Sequence, residues 1–136
     1  MMTRIPILVV EDNEAMQQLF RIQLGPRFEV FSAYDMETAL EILNKEEFTS
    51  IIKAIALDAN FPEKEGGSMS PRNVYRVLKT ILEKELSCPV IAIPQDRDTS
   101  KILVKRGCTH TCPKESLPLM LKELFPDRRH APAAHP

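Results

Sequence analysis

Short apolar runs alternate along this chain with segments whose apolar residues recur at helical spacing, and that alternation constrains the fold most. Ile5 to Val10 (IPILVV), FEVFSA over 28–33, Ile51 to Leu57, PVIAI over 89–93 and the weaker run Thr109 to Cys112 read as strands. Pro6 is tolerable only near a strand start, where a missing N–H costs little.

Between the strands the period changes. Met16, Leu19, Phe20 and Leu24 share a face of a helix over 13–24, which Gly25-Pro26 stops. Asp35 is placed to cap a helix carrying Met36, Ala39, Leu40 and Leu43 on one face. Ser70-Pro71 is a helix start, followed by the core stripe Val74, Val77, Leu78, Ile81 and Leu82. A short helix over about 100–106 ends at Gly107, and Leu117, Met120, Leu121 and Leu124 mark a last one. Strand and helix alternating five times predict an α/β fold with a parallel sheet covered on both faces and right-handed crossovers. The expected architecture is a flavodoxin-like (βα)5 doubly wound sheet of strand order 2-1-3-4-5.

At 136 residues the chain suits one domain, expected over 1–125, with a flexible proline-rich tail over 126–136, either a tail in its own right or the start of a linker. A net charge of −1 points to no nucleic-acid or membrane surface. No apolar run approaches the roughly 20 residues that cross a bilayer, and the five-residue run near the N-terminus is too short for a signal peptide. A cytoplasmic location is expected, with Cys88, Cys108 and Cys112 as reduced thiols.

In such a sheet, ligands sit beyond the carboxyl ends of the strands, at the switch point between strands 1 and 3. Strand 1 ends in Glu11-Asp12, strand 3 in Asp58 and strand 5 in Lys114. Clustered carboxylates raise one another's pKa unless a cation intervenes, and oxygen-only ligands suit Mg²⁺. A carboxylate nucleophile beside a metal and a lysine is an arrangement for phosphoryl transfer.

These residues carry a resemblance. With ILVVEDN, the ALDANFP…G block, PVIAI and GCTHTCPK in order, the chain resembles the response-regulator receiver domain of bacterial two-component signalling from Ile5 to Phe125. Asp58 with Pro62 and Gly66, and Gly107 with Lys114, have that family's spacing. The resemblance implies that Asp58 accepts a phosphoryl group from a histidine kinase or phosphotransfer protein. Asp12 would hold Mg²⁺ directly, Glu11 through water, and the backbone carbonyl of Asn60 would complete the protein ligands with Asp58. Lys114 would pair with Asp58 and then with the phosphate. The output would be binding of a downstream protein, with at most self-phosphorylation and weak autodephosphorylation as enzymatic activity.

The sequence departs from the family at the switch. Pro94 stands where a threonine or serine is usual, and it offers neither a hydroxyl nor an N–H. Thr111 takes the usual aromatic position, and Glu115 follows the lysine where proline is usual. The segment GGSMSPRN before the third helix is long, and the Pro94–Gly107 segment is short. The alternative is therefore a pseudo-receiver, an interaction module that never carries phosphate. A third reading, an Mg²⁺-dependent phosphohydrolase, lacks a second acid two residues past the nucleophile, where Asn60 stands.

Three smaller features have plain readings. Cys108, His110 and Cys112 would share one strand face, but i to i+4 spans about 13 Å at ~3.3 Å per residue, too far for one zinc ion. Small buried thiols in a core strand are the better reading. Glu11 and Asp12 could also cap the first helix. In RDTSK (97–101), Thr99 or Ser100 is the expected helix N-cap.

Overall fold

The computed structural model describes residues 4–127. The expected tail over 126–136 lies outside the described residues from 128 onward. The sheet consists of β1 (Ile5–Val10), β2 (Phe28–Ala33), β3 (Ala54–Asp58), β4 (Val90–Ile93) and β5 (His110–Thr111). All pairings are parallel and the order is β2-β1-β3-β4-β5, the expected doubly wound topology. The helices are α1 (Glu14–Leu24), α2 (Met36–Leu43), α3 (Glu46–Thr49), α4 (Pro71–Glu83), α5 (Arg97–Lys105) and α6 (Leu117–Leu124).

The central strands are apolar without interruption because both of their faces are covered. Leu8, Val10, Ile55, Leu57, Val90 and Ala92 pack with residues of α2, α3 and α4 on one side. Ile7, Val9, Ala54, Ala56, Ile91 and Ile93 pack with α1 and α6 on the other. The register sets Val10 beside Leu57 and Asp58 beside Ile93, so the strands that carry the acids end at one level.

Several local expectations are corrected. The strand expected over 51–57 begins at Ala54. Ile51 and Ile52 instead wind out of α3, each N–H bonded to the Phe48 carbonyl, and pairing with β1 starts only where Lys53 N–H meets the Pro6 carbonyl at 2.9 Å. The helix expected from about 100 begins at Arg97. Asp96 is its N-cap, and its carboxylate accepts from Thr99 N–H at 2.8 Å, so neither Thr99 nor Ser100 is the cap. α1 is capped by Asn13, not by Glu11 or Asp12. Its buried face is Gln17, Phe20 and Leu24, while Leu19 is exposed. On α4, Leu82 falls off the core stripe and is 55% exposed.

The fifth strand is only His110–Thr111, shorter than expected. Cys108 packs on the α4 side of the sheet and Cys112 on the α1 side, so they do not share a face. Both read correctly as core thiols. Burial pushes Cys108 up to about 12 and, with the nearby Glu115 charge, Cys112 to about 11. Among the described residues, no helix is long and apolar enough to cross a membrane.

Candidate functional site

The carboxyl ends of β1 and β3 bring Glu11, Asp12 and Asp58 together. One carboxylate oxygen from each lies within 4.8 Å of the others. Glu11 is wholly buried and Asp58 nearly so, while Asp12 faces solvent. Lys114, in the single 3₁₀ turn after β5, completes the group. Its Nζ donates to Glu11 Oε1 at 2.9 Å and lies 3.6 Å from Asp58 Oδ2. The lysine thus stands closer to Glu11 than to Asp58, the partner implied by the resemblance.

Asp58 presents its two oxygens differently. Oδ1 accepts from the Ala59 N–H at 2.8 Å. Oδ2 faces the ammonium. Glu11 Oε2 is buried and has no hydrogen-bond partner among the described residues. Burial, and then the closeness of the Asp58 carboxylate, push the Glu11 carboxyl up to about 8, against the opposing pull of Lys114. Burial works to lower the Lys114 pKa, but the Glu11 hydrogen bond and the two nearby carboxylate charges outweigh it and hold the ammonium above its ordinary value.

Two buried polar residues that sequence spacing does not single out hold the backbone around the site. Gln17 is fully buried under the end of β1. Its Nε2 donates to the carbonyls of Val9 and Glu11 at 3.0 Å and of Ala33 at 3.3 Å, and its Oε1 accepts from Ser32 Oγ at 2.8 Å. A glutamine three residues before Phe20 and seven before Leu24, on the buried face of α1, was the available signal. Asn73, buried at the start of α4, donates to the carbonyls of Phe61 at 2.8 Å and Ser68 at 3.1 Å. With the antiparallel bridge Pro62–Met69, it folds the long loop after β3 back on itself. The positive φ of Gly66, +75°, serves the turn inside that loop.

Asn60 leaves the end of β3 with its side-chain Oδ1 buried and unpartnered among the described residues. It lines a cavity of about 290 Å³ with Ala59, Gln95 and Thr99. Pro94 directly follows Ile93, whose carbonyl accepts from the Ala59 N–H at 3.1 Å, and its peptide bond is trans. Thr111 is half-buried beside Ala92 on the edge strand.

No protein-family model and no curated protein matches the chain. Solved structures do. The non-phosphorylated HemR receiver domain from Leptospira biflexa superposes with TM-score 0.70 at 19% identity, over 94% of this chain and 100% of that one. The fold is that of a receiver domain. The phosphorylated cyanobacterial phytochrome response regulator RcpA has TM-score 0.64 at 22% identity, covering 90% of this chain and 91% of its own. The Mn²⁺-bound response regulator Rcp1 has TM-score 0.61 at 22% identity, covering 88% and 90%. The receiver fold accounts for the sheet order, the helix layers and the rim on which the acids gather.

Proposed function

We propose that this chain is a phosphoacceptor module of two-component signalling, with Asp58 as the acceptor and Mg²⁺ as the metal. The observation that carries this reading is the Lys114 ammonium standing between buried Glu11 and Asp58 Oδ2. With Oδ1 tied to the Ala59 N–H, Oδ2 is the atom left to attack. It would form the new O–P bond as the P–N bond of a phosphohistidine donor breaks, and the imidazole would leave with a proton. Lys114 would then move its attraction from the carboxylate to the phosphoryl oxygens.

The donor set fits a small hard cation. Three carboxylates converge on one point, and one of them, Glu11, keeps a buried oxygen without a partner. Glu11, Asp12 and Asp58 would hold the ion together with the Asn60 carbonyl. Mg²⁺ bound there would neutralise charge on the transferring group. The donor would be a histidine kinase or phosphotransfer protein in a bacterial cytoplasm, and the output would be a protein contact.

Pro94 supports a second reading. No hydroxyl or N–H at that position can bond a new phosphate, so a pseudo-receiver that signals by binding alone is the alternative. Borohydride trapping separates the two. An acyl phosphate on Asp58 would be reduced to homoserine, and peptide mass spectrometry after phosphoramidate treatment would find homoserine at position 58. Trapping at another carboxylate, or none at all, would overturn the acceptor assignment.

A further inference from the structure

The chain's net charge of −1 hides an uneven distribution. An open groove of about 760 Å³ runs between α4 and the end of α5. Arg72, Arg76 and Lys79 line its α4 wall at i, i+4 and i+7, which puts them on one helix face. Lys105 and Arg106 line the opposite wall. Glu83 is the one acid among the lining residues. The ion pairs Arg4–Glu29, Lys114–Glu11 and Lys114–Asp58 include none of these five cations. Like charges spaced four apart on a helix disfavour it, so this wall is not explained by the stability of α4.

The groove also has an apolar component. Leu82, displaced from the core stripe, lies along it and is more than half exposed. Arg106 stacks on Tyr75, with its guanidinium carbon 3.8 Å from the ring centroid. That contact bridges the two walls and leaves the edge of the guanidinium free to bind a carboxylate.

We propose that this groove docks an acidic segment of a partner protein, with carboxylates on both basic walls and an aliphatic side chain against Leu82. The 13 residues of α4 span about 20 Å at ~1.5 Å per residue, enough for roughly six extended residues or a helix of similar length to α4. Charge complementarity favours an acidic peptide over other anions. A single-stranded nucleic acid needs aromatic faces for its bases, and the one aromatic ring in the groove is already covered by Arg106. Neither Glu11, Asp12, Asp58 nor Lys114 lines the groove, so the proposal stands apart from phosphoryl acceptance.

The test uses a fluorescein-labelled peptide of about thirteen residues, the length of α4, made of glutamate with leucine at every fourth position. Binding is read by fluorescence anisotropy and mapped by amide chemical shifts. We expect binding that weakens as salt rises, with shifts confined to α4 and the end of α5. Reversing Arg76→Glu with Lys79→Glu should lower affinity about tenfold. Lys105→Glu tests the opposite wall independently and should also weaken binding. Lys122→Glu, on α6, should leave it unchanged. All four positions are exposed, so circular dichroism should show the fold retained. Absence of binding, equal binding by the reversed variants, or tighter binding of single-stranded DNA of equal length would overturn the proposal.

Discussion

Lys114 and Glu11, 103 residues apart in the chain, meet through a 2.9 Å hydrogen bond at the carboxyl edge of the sheet. The same ammonium lies 3.6 Å from Asp58, so one cation serves two carboxylates from two strands. Glu11 is sealed from water and keeps one oxygen unpaired, while Asp58 turns one oxygen toward the lysine. The pairing fixes the lysine from the Glu11 side, which leaves its other contact available for a change of partner.

Glu11 gives the metal-free protein a distinctive pH dependence. Its carboxyl titrates at about 8 in the folded state against 4.5 unfolded, so the folded chain holds the extra proton between those values. The stability due to Glu11 is therefore full below about 4.5 and is lost as pH rises through about 8. Urea midpoints measured with chelator should fall between these limits, and Glu11→Gln should flatten that part of the profile. A wild-type minus variant difference that grows with pH would contradict it.

Mg²⁺ should stabilise the fold by mass action. At about tenfold over its dissociation constant the gain is ~1.4 kcal/mol. Differential scanning fluorimetry should show a rise in melting temperature that a chelator reverses and that Asp12→Ala removes. An equal rise in the variant would take Asp12 out of the metal site.

Gln17 should be costly to lose although it touches no ligand. Gln17→Leu keeps the bulk but leaves the Val9 and Glu11 carbonyls without their side-chain donor, while the Ala33 carbonyl keeps the Glu11 N–H. We expect a loss of about 2–4 kcal/mol by chemical denaturation. A change within experimental error would show that those carbonyls find other partners.

Gly107 is needed for its conformation and for space. Its φ is +122°, and a Cβ there would lie 3.1 Å from Leu82 Cδ2. Gly107→Ala should cost about 1–3 kcal/mol through backbone strain. Combining it with Leu82→Ala would relieve the contact but not the strain, so most of the loss should remain. Full recovery would assign the cost to crowding alone.

Much of the fold was legible because the sheet is buried on both faces. Ile5 to Val10 and Ile51 to Leu57 read as strands from apolarity alone, and the structure has strand over the whole of the first and from Ala54 in the second. The acids were legible because each ends such a run. Residues whose role depends on distant partners were not. Ile51-Ile52 is a β-branched pair, yet Phe48 holds both residues in a turn. Gln17 and Asn73 break apolar stripes, and only the folded chain shows which carbonyls they bind. The closeness of Lys114 to Glu11 follows from the strand register and the turn after β5, which no local spacing encodes.

The most direct test of the central claim is the intact mass of the protein after incubation with acetyl phosphate and Mg²⁺, beside an Asp58→Asn control. A single phosphoryl adduct is expected on the wild-type chain and none on the control. An unmodified wild-type chain, or an adduct that persists in Asp58→Asn, would contradict that claim.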